Sequence, residues 1–183
     1  MFGAGMKQPG AMAAIIGLDE KVLAEICTET GTFIANFNCP GQLVISGASE
    51  NVARTSEAAK AKGAARVVPL QVSGAFHSPL MQPAVEGMSV IFSQTVFKNP
   101  TVPIIANVSG LPLTVAGEFK DELLKQLTSG VQWQRSVEYI TGQEVKSFIE
   151  FGPGKVLTGL IRRISRDIDT LNISDLSTVK SLA

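Results

Sequence analysis

Apolar and polar positions change rhythm along the chain, and the changes mark its elements. Residues 11–17 are an apolar run of strand length, closed by Asp19, whose carboxylate suits the N-cap of a helix. Val22, Leu23 and Ile26 then give that helix one apolar face. Two strand-like segments, 32–37 and 42–46, flank Asn38-Cys39-Pro40-Gly41. There proline presets one turn angle and glycine accepts the left-handed one, so a hairpin is expected. Ser49 is placed to cap an alanine-rich helix running to Lys62, Gly63 ends it, and 65–72 reads as a strand.

That order, βαββαβ, is the ferredoxin-like split βαβ pattern: an antiparallel sheet covered on one face by two helices. From Ser78 onward the texture becomes longer helical runs between short apolar strands, the habit of a parallel sheet flanked by helices. A helix begins at Ser78-Pro79, its regular part delayed a turn by Pro83, with Val85, Met88, Ile91 and Phe92 on one side. A strand at 102–108, helices at 118–129 (stopping at Gly130) and 133–141, a strand at 145–151, a helix at 155–164 and a strand at 170–173 complete the expected elements. Gly152-Pro153-Gly154 is either a tight strand-to-helix turn or a set of N–H groups open to an anion. The chain therefore divides into a lead-in at 1–10, a small subdomain at 11–72 and a larger one at 73–183, with no internal repeat.

Composition narrows the possibilities. With 183 residues and 45% apolar content the chain can bury a sizeable core. Sixteen basic and sixteen acidic residues cancel, and neither sign forms a block, so nothing suggests binding to nucleic acid or an anionic membrane. Cys27 and Cys39 form no CxxC pair and a single histidine cannot complete a zinc cluster; reduced thiols and a cytoplasmic location are expected. No segment approaches the roughly 18 to 20 apolar residues that span a bilayer.

The candidate chemistry rests on that single histidine, His77, at a strand-to-helix junction. A lone histidine serves packing or solvation more often than catalysis. Imidazole is nonetheless the side chain that accepts and returns a proton near neutrality.

Five segments carry a resemblance that weights the catalytic reading: Gly10-Ala11-Met12-Ala13-Ala14, Asn38-Cys39-Pro40-Gly41-Gln42, Ala75-Phe76-His77-Ser78-Pro79-Leu80-Met81, Val131-Gln132-Trp133, and Glu150-Phe151-Gly152-Pro153-Gly154-Lys155-Val156-Leu157. In order and over almost the whole chain, they resemble the malonyl-CoA:acyl carrier protein transacylases of fatty acid and polyketide synthesis. The resemblance implies an α/β fold with a ferredoxin-like small lobe followed by the C-terminal part of a hydrolase-like large lobe. It implies a malonyl-serine intermediate, His77 as general base, and the backbone carbonyl of Gln126 orienting the imidazole. Phe76 would narrow the acyl pocket in favour of malonyl, and Asn38 would line the acyl or pantetheine site, unless it is a turn residue bonding its own backbone.

Malonyl-CoA and the phosphopantetheine-bearing acyl carrier protein are the implied substrates, with no permanently bound cofactor or metal. The family's nucleophile lies in a G-H-S-x-G elbow, and no G-x-S-x-G occurs here. Ser46, Ser49, Ser73, Ser78 and Ser109 read as strand, cap or turn residues. The resemblance thus covers about the C-terminal three fifths of such an enzyme, and the chain alone is expected to have little activity and to aggregate or associate with a complementary fragment such as the missing N-terminal segment. The alternatives are the acyltransferase piece of a polyketide or multidomain synthase, or a non-catalytic remnant that binds the carrier protein.

Overall fold

The computed structural model describes residues 9–72 and 74–180; Ser73, most of the lead-in and the last three residues lie outside the described set. Strand β1 (Gly10–Ile16) leads into helix α1 (Glu20–Thr30), then strands β2 (Phe33–Cys39) and β3 (Gln42–Ala48), helix α2 (Ser49–Ala61) and strand β4 (Arg66–Pro69). The expected βαββαβ order holds. The sheet runs β2-β3-β1-β4 with every pairing antiparallel, so each helix connects two parallel strands across one inserted between them.

Local chemistry explains these elements. The Asp19 carboxylate accepts from the N–H groups of Lys21 and Val22 at 2.9 and 3.4 Å, and Gly31 closes α1 at φ 73°. Ser49 is not the cap: it is the first residue of α2, after Ala48, and its side chain makes no capping bond. The hairpin turn is only Pro40-Gly41, because β2 continues through Asn38 to Cys39 over a bulge. Strand β4 stops at Pro69, which has no N–H for the ladder, where the sequence suggested a run to residue 72.

The unbroken apolar run of β1 has a physical cause: both faces of the sheet are buried. Ala13 and Ile15 join Leu43, Ile45, Leu23, Ile26 and Val52 beneath the helices. Met12 and Ala14 join Ala35 and Val44 on the opposite face, against which Phe76 packs.

Beyond residue 74 a 3₁₀ turn (Pro79–Met81) precedes α3 (Gln82–Ser93), the delay expected from Pro83. The 102–108 strand is a correction: only β5 (Ile104–Ile105) forms, paired antiparallel with β6 (Pro112–Leu113). Pro103 and Pro112 remove ladder donors, and the chain turns back at Gly110, φ 70°. Helices α4 (Ala116–Lys125) and α5 (Trp133–Gly142) follow. Strands β7 (Ser147–Phe151) and β8 (Asp169–Ile173) pair in parallel around helix α6 (Val156–Ile164), and a short α7 (Leu176–Lys180) closes the described chain. Arg162 Nε donates to Thr170 Oγ1 at 2.9 Å and Arg163 to Gln42 Oε1 at 2.7 Å, the latter tying α6 to β3.

Candidate active site

His77 is placed by the second face of the small sheet. Ala75, almost fully buried, lies directly on Gly10 of β1, where an added Cβ would stand 2.5 Å from the Ala75 Cβ. Only glycine permits that approach. Phe76 fills the gap between the Met12, Ala14, Ala35 and Val44 cluster and a second cluster of Met81, Ala84 and Leu127. Ser78 is fully buried, donates its hydroxyl to Ala75 O at 2.7 Å, and accepts at its own carbonyl from Met81 N–H at 2.9 Å. Pinned on both sides, half-buried His77 takes φ 57°, a left-handed conformation that non-glycine residues adopt at a cost and that clusters at functional sites.

Its partner comes from a helix that ends early. The sequence placed the end of α4 at Gly130, yet it ends at Lys125 and the next residues tighten into turns, with Leu127 N–H donating to Leu124 O and Thr128 N–H to Lys125 O. Gly130 is glycine for another reason: a Cβ there would meet Ile34 O at 2.5 Å. Since residue 130 does not continue the helix, the Gln126 carbonyl has no helical donor and is free for another. His77 Nδ1–H fills that place at 2.8 Å. A carbonyl oxygen only accepts, so Nδ1 carries the proton and, in the neutral ring, Nε2 keeps a lone pair.

Gln126 is itself braced. Its N–H donates to Glu122 O at 2.9 Å, and its side-chain Oε1 accepts from Asn107 Nδ2 at 2.9 Å. The carbonyl of Asn107 accepts from Gln132 N–H at 2.7 Å, while Val131 exchanges backbone bonds with Ala35 and Phe37 of β2. Asn107 and Glu122 were not singled out from sequence; the cluster Asn107-Val108-Ser109-Gly110, a turn signal inside an apolar run, was the available cue.

Asn38 lies half-buried in β2, not in the turn, so the turn reading is withdrawn. Among the described residues, the serines considered behave as structural residues. Ser46 is fully buried in β3 and has no partner among the described residues, and Ser109 Oγ accepts from Leu111 N–H at 3.2 Å.

At Gly152-Pro153-Gly154 the anion reading gives way to the structural one. The Glu150 carboxylate accepts from Leu157 N–H and Thr158 N–H, each at 3.0 Å, and from the Thr158 hydroxyl at 2.6 Å, so the start of α6 already holds an anion. The Thr158 hydroxyl above all, with those backbone donors, holds Glu150 below the ordinary glutamate range against the opposing effect of desolvation. Among the described residues no three His, Cys, Asp or Glu side chains cluster as metal ligands, and no helix is long and apolar enough to cross a membrane.

Fold and site define an α/β protein built around one oriented imidazole. Residues 3–181 match the acyl transferase domain, and the chain belongs to that family. It is 46% identical over 178 residues to the malonyl CoA-acyl carrier protein transacylase of Escherichia coli K12, covering 95% of this chain and 57% of that protein. The crystal structure of an acyl carrier protein S-malonyltransferase from Vibrio cholerae superimposes with a TM-score of 0.92 at 37% identity, over 99% of this chain and 62% of the other. A type II polyketide acyl-carrier protein in complex with its malonyl-transacylase matches with a TM-score of 0.91 at 36% identity, over 98% and 60%. The chain thus spans less than two thirds of the length of these relatives.

Proposed function

We propose that this chain supplies the general base for moving a malonyl group from malonyl-CoA to the phosphopantetheine thiol of acyl carrier protein, in fatty acid synthesis in the cytoplasm. The single observation that carries the reading is the 2.8 Å bond from His77 Nδ1 to the Gln126 carbonyl. A neutral serine hydroxyl is a poor nucleophile, so Nε2 takes its proton as Oγ attacks the malonyl thioester. The tetrahedral intermediate collapses, the carbon–sulfur bond breaks, and coenzyme A leaves as the thiol with the proton returned by the imidazolium. The pantetheine thiol then repeats the sequence on the malonyl-serine ester, giving its proton to Nε2, and serine leaves with that proton.

Nothing in this cycle asks for a permanent cofactor. Malonyl-CoA and the carrier protein are the substrates in this reading, in keeping with the names of the relatives. Phe76 limits the acyl pocket and Asn38 lines the substrate side. The small subdomain at 11–72 frames the site and the part at 73–183 carries the imidazole. The serine belongs to a G-H-S-x-G segment that does not occur in these 183 residues, so the chain alone transfers little.

The test is transfer of radiolabelled malonyl from malonyl-CoA to holo acyl carrier protein. The chain is assayed alone and fused behind the N-terminal segment of a relative. Activity only in the fusion, with methylmalonyl a poorer donor, is expected. A folded fusion without activity overturns the catalytic reading and leaves carrier-protein binding.

A further inference from the structure

We infer that Asn107 is a positioning residue for His77, acting through the side chain of Gln126; its catalytic relevance rests on the function proposed above. The Gln126 carbonyl can orient the imidazole only if the turn after α4 holds still, and that turn, residues 126–129, has little regular structure to fix it. Two side-chain bonds supply the restraint. Asn107 Nδ2 donates to Gln126 Oε1 at 2.9 Å, and Glu122 Oε1, one helical turn earlier, accepts from Val108 N–H at 2.8 Å. Both reach the same 107–108 segment, which Gln132 N–H grips through the Asn107 carbonyl at 2.7 Å.

A path of hydrogen bonds linked by short covalent segments therefore runs from β2 through the adjacent Val131 and Gln132, then Asn107 and Gln126, to His77. Asn107 is its junction, the residue that bonds toward the sheet with its backbone and toward the imidazole with its side chain. Because Asn107 is exposed, removing its amide costs the fold little. What it changes is how often the Gln126 carbonyl faces Nδ1.

The single histidine makes the test direct, since ¹⁵N spectra of the imidazole contain one residue. In the chain as it stands, at a pH where the ring is neutral, the Nδ1–H tautomer should dominate. N107L, which keeps the volume and loses the hydrogen bond, should raise the Nε2–H fraction about two- to fivefold, the weight of one exposed neutral hydrogen bond. N107D should retain the original ratio, because the Gln126 amide can turn its N–H₂ toward the carboxylate. An unchanged ratio in N107L with an unchanged circular dichroism spectrum overturns the inference, as does a shift in N107D equal to that in N107L. If the ratio shifts as expected while the fused protein transfers no malonyl, the positioning role stands and the proposed function falls.

Discussion

The four-stranded sheet with its two helices and the part beyond residue 74 solve the problem of burial differently. In the first, ten residues from Ala13 to Ala59 form one buried cluster beneath α1 and α2. In the second, among the described residues, the buried cluster is Met81, Ala84 and Leu127, other buried apolar residues such as Val137 and Ile161 stand outside it, and the exposed large apolar residues other than Phe33 and Val72 lie there. Strand β7 shows the contrast within one element. Glu150 turns toward α6 and is consumed in capping it, whereas Ile149 and Phe151 on the other face are 53% and 76% exposed. Where such residues form a contiguous patch, the patch is a surface for a partner or a second copy. The lesson is that the imidazole is held less by a core than by a sheet face on one side and hydrogen bonds on the other.

Removing a side chain from the first region should have the largest effect. Leu23, fully buried, should lose about 2 to 5 kcal/mol of stability as Leu23→Ala in urea unfolding. A smaller loss would mean the sheet is less tightly filled than the contrast requires. Next comes the seam between the regions, where Gly130→Ala forces a Cβ against Ile34 O and should cost about 1 to 3 kcal/mol. It should also weaken the pairing of Val131 with β2, seen as faster amide exchange at Phe37 and Val131, while Gly117→Ala, on open ground, leaves both unchanged.

A lesser effect is expected from pH. The Glu150 carboxyl sits below its ordinary value of 4.5, so its contribution is present in full above 4.5 and is lost as pH falls below that through the lowered native value. The amide signals of Leu157 and Thr158 should follow that loss, and Glu150→Gln should weaken the start of α6 even at neutral pH. Signals that move only above 4.5 would contradict the assignment. Smallest in stability is Phe151→Ser, expected within about 0.5 kcal/mol of the parent yet with clearly reduced self-association by light scattering. A large destabilisation would show that Phe151 is not on an uncovered face.

The same contrast explains what was legible in the sequence. The βαββαβ order could be read because its cues are local: Asp19 at a cap, Pro40-Gly41 in a turn, Gly63 after a helix. His77 was legible as the only imidazole, and Gln126 only through resemblance, since a backbone carbonyl has no sequence signature. Asn107 was hidden inside an expected strand because its partner is 19 residues away, on a helix end. Gly130 was read as a helix stop when its role is a close approach to β2, a contact between distant segments that periodicity does not encode.

The account stands or falls on His77 serving a serine. The direct measurement is the rate at which radiolabel from malonyl-CoA becomes covalently attached to the fused protein without carrier protein, compared between the parent and His77→Ala. The account predicts labelling slowed by about 10² to 10⁴ with the fold unchanged. Labelling of His77→Ala at the parent rate would contradict it.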